Sequence, residues 1–249
     1  MDRYHKSSQM KGLPGGIMNN FKTLKERKET VRLFMEYAVP GEFTELAAAL
    51  LDKYEADIIG LNLLHSFYNC LPEGTEDAIE KLFLLARRQG VFLLCASSCS
   101  GINYLYLVNN EGATILGTLG EGIKDQELLD FFGFIDKDSF LTLGKDLSRI
   151  EEYEPSPADP TLCPACQTAV GEYHILGCPV EICPWCNGQL TRCNCKFTWL
   201  EVENIDRESQ IEKLQDRLDA EGRIPFAKEH SPAYASDKLN DESDEKNNF

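Results

Sequence analysis

The sequence predicts an α+β fold, with a mostly helical N-terminal half and a small antiparallel sheet, followed by a separate cysteine-rich module. Three observations support this prediction. Apolar residues recur at helical spacing as far as residue 71, short β-type runs follow, and a proline-rich break precedes a segment with seven of the ten cysteines. Helices that precede the strands, rather than alternating with them, are typical of the α+β class.

Three helices are predicted before residue 72. The first ends before Pro40-Gly41 and has an apolar face made of Phe21, Leu24, Val31, Phe34 and Ala38. The apolar face of the second consists of Phe43, Leu46, Leu50 and Tyr54. Residues 57–71 fit either a third helix or, over 58–64, a buried strand, and the spacing of their apolar residues favours the helix.

A helix, three strands and a further helix are predicted next. The helix covers 76–90, because Thr75 is a good N-cap and Gly90 a good stop. The strands cover 91–96, 104–108 and 114–119, and the turn sequences between them favour an antiparallel sheet. A helix over 125–132 and a mixed region over 139–153 complete an α+β domain that spans residues 18–153.

Residues 154–160 are predicted to be a linker, because three prolines in seven residues prevent regular hydrogen bonding. The cysteine-rich module follows over 161–200, and an extension covers 201–228. Within this extension, residues 207–220 are predicted to form an amphipathic helix with Ile211, Leu214 and Leu218 on one stripe.

Eight candidate metal ligands lie in this module, in the pattern Cys-x2-Cys, His-x3-Cys, Cys-x2-Cys and Cys-x-Cys. They are Cys163, Cys166, His174, Cys178, Cys183, Cys186, Cys193 and Cys195. Seven thiolates and one imidazole are enough for two tetrahedral sites, so the sequence predicts a double-zinc, ribbon-like module. Because eight ligands leave no position open for water or substrate, both zinc ions are expected to be structural.

A disulfide scaffold or an iron–sulfur centre fits these cysteines less well than zinc. The disulfide scaffold is disfavoured by the odd number of cysteines in the module and by the absence of an export signal. The iron–sulfur centre is disfavoured by the histidine among the ligands. The pairing stays open between a sequential scheme, with the first four ligands on one ion and the last four on the other, and a cross-braced scheme in which the two CPxC turns share an ion. Shorter loops favour the sequential scheme.

The motifs CPAC, GEYHILGC, EICPWCNGQL and CNC resemble a short zinc-ribbon-like segment of bacterial proteins. Some of these proteins also carry a downstream stretch like Arg223-Ile224-Pro225-Phe226. The resemblance covers residues 163–195 and implies zinc ligation by the eight residues named above. It also implies a bacterial-type origin among mobile or phage-defence genes, but it implies no activity, and the N-terminal domain carries no resemblance of this kind.

Composition and charge limit the kind of partner. Hydrophobic residues make up 43% of the 249 residues and the formal net charge is −16, so a globular protein is expected and nucleic acid is a disfavoured partner. Without a long apolar run or a secretory leader, we expect a cytoplasmic protein that does not bind membranes. The polar residues 1–17 and the acidic residues 229–249 are predicted to be disordered, and Met18 is an alternative start.

Together these features predict a zinc-stabilised protein-binding, regulatory or adaptor protein whose partner is another protein. A role as an accessory component of a bacterial defence or toxin-antagonist system is suggested by analogy alone. One alternative is an enzyme with a pocket near His65 and the loop 95–101, in which a cysteine would be the nucleophile. Another is a nucleic-acid reader with a basic groove across residues 22–32 and 87–88.

Overall fold

The computed structural model describes residues 23–72, 74–144, 146–155 and 159–230. The chain divides into two compact units between Asp159 and Pro160. The predicted α+β class is confirmed, because the described residues form seven α-helices and a four-stranded antiparallel sheet. None of the helices in these ranges has both the length and the apolarity needed to cross a bilayer. The ends predicted to be disordered lie outside the described residues, apart from Glu229 and His230.

Three helices open the first unit, and their residue types explain where they begin. Helix α1 is Leu24–Ala38, α2 is Thr44–Lys53 and α3 is Ile58–Cys70. Thr23 forms a capping box with Glu26 at the start of α1, and the Asp57 carboxylate accepts the first free amides of α3. The helix predicted over 57–71 is therefore confirmed, whereas Phe21 of the first predicted helix lies outside the described residues.

The sheet is a simple meander of four strands in the order β1-β2-β3-β4. The strands are Ile79–Arg88 (β1), Val91–Ser98 (β2), Asn103–Val108 (β3) and Ala113–Thr118 (β4). The last three match the predicted strands within a few residues. Two short helices follow, α4 (Gln126–Phe132) and α5 (Lys137–Leu143), and they begin at the capping aspartates Asp125 and Asp136.

The helix predicted over 76–90 is wrong, because this segment contains strand β1. Its residues are mostly good helix formers, and Gly90 resembles a helix stop. In the structure, however, Gln89 and Gly90 both have positive φ angles, 50° and 74°, and Arg88 pairs directly with Val91. Two central residues of this kind form a type I′ turn, which joins β1 to β2 as a tight hairpin. Strand pairing therefore outweighs the helix propensity of the segment.

The sheet is buried on both faces, which explains the continuous apolar run in β2. One face packs against α1, α2 and α3 through side chains such as Phe92 and Leu94. The other face packs against α4 and α5 through side chains such as Leu93 and Cys95. Successive residues of a strand point to opposite faces, so a central strand covered on both sides needs apolar side chains at every position. The first unit is thus helices, sheet and helices in three layers.

One close contact between α3 and Tyr54, the residue that follows α2, yields a prediction about stability. A methyl group at Gly60 would lie 2.6 Å from the ring of Tyr54, whose side chain is fully buried. We expect Gly60→Ala to destabilise the first unit by about 1–3 kcal/mol, as overpacking does in well-filled cores. Gly120→Ala is the matched control, because a methyl group there meets nothing within 4 Å. Denaturant midpoints of the two variants should differ, and equal midpoints would show that Tyr54 moves aside.

The described part of the second unit, residues 160–230, contains little regular structure. Its helices are α6 (Cys195–Leu200) and α7 (Glu208–Glu221), of which only α7 was predicted. Two isolated antiparallel bridges, Leu162 with Ala169 and Ile182 with Gln189, close the two CPxC turns. The other residues of 160–230 form turns and loops, many of them around the cysteines.

Candidate metal centres

The structure brings the eight predicted ligands into two groups of four. One group contains Cys163, Cys166, His174 and Cys178, and the other contains Cys183, Cys186, Cys193 and Cys195. Within each group the possible ligand atoms all lie within 4.8 Å of one another. This grouping follows the order of the residues along the chain, as in the sequential scheme, and does not place the two CPxC turns together.

Distances inside the first group match those of a tetrahedral zinc site. A Zn–S distance of about 2.3 Å places two sulfurs about 3.8 Å apart across a tetrahedron. The Sγ atoms of Cys163 and Cys178 are 3.7 Å apart, and His174 Nδ1 lies 3.3 Å from Cys166 Sγ. The imidazole therefore turns Nδ1 toward the sulfurs, in the position expected of a ligand atom.

The two CPxC turns have the same local conformation. In each, the amide of the first cysteine donates to a carbonyl five residues later, at 2.8 Å from Cys163 to Thr168 and 2.7 Å from Cys183 to Gly188. In each, the residue after the second cysteine is left-handed, with φ of 61° at Gln167 and 58° at Asn187. The cysteine-rich module therefore contains the CPxC turn twice, as an internal repeat. Sequence reasoning missed this repeat, although the similarity of LCPACQ and ICPWCN indicates it.

The first centre is deeply buried and is supported by a buried ion pair. All four of its ligand residues are buried. The Arg223 guanidinium donates to the Glu181 carboxylate at 2.6 Å and to the backbone carbonyl of His174 at 2.7 Å. The side chains of Arg223 and Glu181 are only 2% and 1% exposed. This contact holds the backbone of one ligand from outside the CPxC repeat, as outer-shell groups commonly do in metal sites.

Phe226 covers the same centre from the C-terminal side. Its ring packs edge-on against the His174 ring with centroids 5.2 Å apart, and it shares a small apolar cluster with Cys163, Cys166 and Cys178. Its backbone pairs with Gly171 and Glu172, at 2.9 and 2.8 Å. The stretch Arg223–Phe226 therefore belongs to the first centre. Sequence patterns give this stretch no role, because no ligand spacing connects it to the cysteines.

The second centre is much more open. Cys183 is buried, Cys193 and Cys195 are half-buried, and Cys186 is exposed. Lys196 holds the loop between the ligands by donating to the carbonyls of Leu190, Thr191 and Cys193, at 2.8, 3.0 and 2.8 Å. On one side, the centre rests on an apolar cluster that includes Leu190, Leu214 and Leu218.

Helix α7 is part of this second cluster and does not offer a free apolar stripe. Leu214 and Leu218 are buried against Cys183 and Leu190, whereas Ile211, the third member of the predicted stripe, is 45% exposed. Two of the three residues of the predicted stripe therefore pack inside the second unit. Their physical role is to cover a metal centre that is too small to bury itself.

The two tryptophans also lie beside the second centre. Trp185 stands between the ligands Cys183 and Cys186, and its ring packs on Trp199 with centroids 5.8 Å apart. Trp199 is 46% exposed, and the Arg217 guanidinium lies over its ring. The rings pack on each other within the second unit. Since the chain has two tryptophans, its indole fluorescence reports on this part of the molecule.

Without a bound cation, the neighbouring cysteines of the second centre have pKa values shifted in opposite directions. Burial raises the pKa of Cys183 to about 12, although amide hydrogen bonds from Cys186 and Trp185 oppose this rise. A hydrogen bond from the Gly188 amide, together with those from the other thiols, lowers the pKa of Cys186. Metal binding requires deprotonated thiols, so a bound divalent cation would replace these protons and stabilise the clustered negative charge.

The structure separates Cys95 from His65, the candidate base of the enzyme alternative. Cys95 is fully buried in the core between the sheet and helices α4 and α5. His65 lies on α3 instead, where its ring is 5.4 Å from that of Phe34, and α3 covers the opposite face of the sheet. Cys99, in the turn between β2 and β3, packs on the face of the sheet that α1, α2 and α3 cover. The described residues therefore contain no Cys95–His65 pair.

Burial also makes Cys95 a poor nucleophile, which leads to a labelling prediction. Desolvation raises the pKa of the Cys95 thiol to about 12, so its thiolate fraction at pH 8 is about 10⁻⁴. We expect iodoacetamide to label the exposed Cys70 in the native protein and to leave Cys95 unlabelled until the first unit unfolds. Peptide mass spectrometry at pH 8 would measure both rates. Similar rates at the two cysteines would contradict the buried position of Cys95.

Carboxylates or aromatic rings contact four cations of the candidate basic groove. Lys28 pairs with Asp52 at 2.8 Å and with Glu55 at 2.6 Å, and Arg32 pairs with Glu29 at 2.9 Å. The guanidinium groups of residues 87 and 88 lie over the rings of phenylalanines. Lys22 lies outside the described residues. The ion pairs of Lys28 and Arg32 make these two cations less available to phosphates.

Comparisons of the chain with protein-family models, with curated proteins and with solved structures find no match. The chemistry of the candidate site therefore follows from its own residues. Two clusters of four Cys and His side chains, each at metal-ligand spacing, could hold metal ions. Soft thiolate ligands in tetrahedral groups of this kind are typical of zinc.

Proposed function

We propose that the second unit binds two structural zinc ions and that the protein is a zinc-stabilised binding or regulatory protein, not an enzyme that acts through its metal. The observation that carries this proposal is the assembly of eight donors into two complete groups of four. A catalytic zinc keeps one coordination position for water or substrate, whereas four protein ligands for each ion leave none.

The environment of the first centre supports a structural role. Its ligands are buried, one ligand backbone is clamped by Arg223, and Phe226 covers the histidine ring. Such a centre excludes water and holds its ligands in one geometry. Its contribution is to make a unit with little regular structure rigid enough to present a defined surface.

The charge of the chain supports a protein partner with a basic surface. The formal net charge is −16, and seven thiolates with two divalent ions add a further net negative charge to the second unit. Complementary charge accelerates association and favours the matching partner. The same charge repels the phosphates of nucleic acids.

Metal content and coordination test the structural part of the proposal. Native mass spectrometry of freshly purified, reduced protein should show two zinc ions for each chain. X-ray absorption at the zinc edge should show sulfur with a minor share of nitrogen, and no oxygen, in the first coordination shell. An exchangeable water on either ion would contradict a structural role and would favour the enzyme alternative.

Affinity capture with two matched baits tests the binding part. The first bait is the zinc-loaded chain and the second is the same chain after chelation. We expect the first bait to retain a basic protein that the second does not retain. This binding should weaken as salt increases. Purified partner should then bind the purified chain directly. Binding of nucleic acid at low salt, without a protein partner, would overturn this part of the proposal.

A further inference from the structure

The two candidate centres share a repeated CPxC turn but differ in their exposure to solvent. In the first centre, all four ligand residues are buried. In the second, only Cys183 is buried, and Cys186 is exposed. The two turns have the same backbone geometry, so this difference comes from what covers them.

The covering groups explain the difference. Phe226 packs on the first centre, and the buried pair of Arg223 and Glu181 lies beside it. In the second CPxC turn, in contrast, the exposed Cys186 is followed by two exposed residues, Asn187 and Gly188. The apolar cluster of the second centre includes Cys183 and α7 but not Cys186.

The donor sets differ as well. The first group has three thiolates and one imidazole, whereas the second has four thiolates. Sulfur, unlike imidazole nitrogen, is oxidised readily by peroxides, and its susceptibility follows thiolate character and exposure. The second centre therefore combines the larger number of oxidisable donors with the easier access.

We propose that the second centre is a site of reversible oxidation, at which oxidants of the hydroperoxide class form a disulfide and release its metal ion. This inference rests on the proposed function, since it requires zinc in both centres. The first centre keeps its ion under the same conditions because its sulfurs are shielded. The exposed Cys186 is the position that the oxidant reaches first.

The reaction balances with hydrogen peroxide as the oxidant. The Cys186 thiolate attacks one peroxide oxygen, the O–O bond breaks, and a sulfenic acid and hydroxide form. A second thiolate of the same group attacks the sulfenic sulfur, which forms the S–S bond and releases another hydroxide. The two sulfurs lose two electrons, and both peroxide oxygens are reduced to the level of water. The ion then leaves because two of its four ligands have become a disulfide. A dithiol reductant reverses the step.

Release of this ion would alter the surface of the second unit. Leu214 and Leu218 of α7 pack against Cys183 and Leu190, so their support depends on the second centre. Arg223 and Phe226, which follow α7, stay attached to the first centre. We therefore expect oxidation to loosen α7 while the first centre remains folded.

Zinc release from the full-length, two-zinc protein tests this inference. Hydrogen peroxide is added in the presence of a metal-sensitive dye, and ions, disulfides and tryptophan emission are followed together. We expect one ion to be released about tenfold or more faster than the other, since the oxidation rate follows thiolate exposure. The faster phase should coincide with a disulfide that includes Cys186 and with a change in tryptophan emission. Reduction with added zinc should restore both ions.

Two variants serve as matched controls. Cys186→His gives the second centre the donor set of the first, and we expect its ion to be released about tenfold more slowly. Phe226→Ala uncovers the first centre, and we expect peroxide to release its ion faster while the second centre behaves as in the unchanged protein. Should Cys186→His fail to hold its ion before oxidation, Phe226→Ala still tests whether shielding controls the rate.

The outcomes separate this inference from the proposed function. Fewer than two ions before oxidation would overturn the proposed function, and this inference with it. Two ions that leave at equal rates, or a disulfide that forms first among Cys163, Cys166 and Cys178, would overturn only the inference.

Discussion

Removal of zinc with a chelator under reducing conditions should unfold the second unit and leave the first unit folded. Both apolar clusters found in the described part of the second unit include candidate metal ligands. Val180 and Phe226 pack on the first group, and Leu214 and Leu218 pack on the second. Without the ions, these small clusters cannot offset the entropy of ordering the chain. Structural zinc contributes an apparent free energy of about 10–16 kcal/mol for each ion in small zinc-dependent units, so the expected effect is complete unfolding.

Hydrogen exchange measured by mass spectrometry would test this expectation separately in each unit. Peptides from the second unit should lose protection after chelation, whereas peptides from strand β2, which is buried on both faces, should keep it. Tryptophan emission should shift to the red, because both indoles lie in the second unit. Protected amides in a zinc-free second unit would contradict the structural role of the metal.

Loss of the Arg223 side chain should be the most damaging substitution outside the eight ligands. Glu181 is 1% exposed, so Arg223→Ala would leave a buried carboxylate without its cation and would free the backbone of His174. Breaking a buried ion pair in this way costs about 3–5 kcal/mol. We expect this variant to lower the urea midpoint of the second unit and to weaken retention of the ion in the first centre.

Two further variants make the test specific. Arg207→Ala removes an exposed arginine from the start of α7 and should change the free energy of unfolding by no more than about 0.5 kcal/mol. Replacing both partners, with Arg223→Met and Glu181→Leu, should recover much of the loss, because no charge is then left buried. Tryptophan emission during urea unfolding at a fixed zinc concentration would measure all three. Equal midpoints for Arg223→Ala and Arg207→Ala would contradict the role assigned to the pair.

The error at strand β1 illustrates what local sequence patterns miss. The residues of 79–88 favour a helix by intrinsic propensity, and only pairing with β2 and burial on two faces make the segment a strand. Helix α3 shows the opposite case. Its capping Asp57 and its apolar spacing are local signals, so the helix could be predicted even though most of its side chains are buried.

The candidate metal centres also combine features set by local sequence with features set by long-range contacts. The identity of the eight candidate ligands follows from short cysteine spacings, which depend on local turns. Their sequential separation into two groups is favoured by the short loops between the ligands. The shielding of one group by Arg223 and Phe226, in contrast, depends on contacts between residues far apart in the chain. No spacing rule predicts such contacts.

By itself, the sequence determined the α+β class, the acidic charge and the candidate ligands, because each depends on composition or on residues close together in the chain. The tertiary structure decided that 79–88 is a strand, that Leu214 and Leu218 of α7 face inward, and that one candidate metal centre is buried while the other is open. These features depend on which distant side chains exclude water from a site, and burial of this kind arises only when the chain has folded.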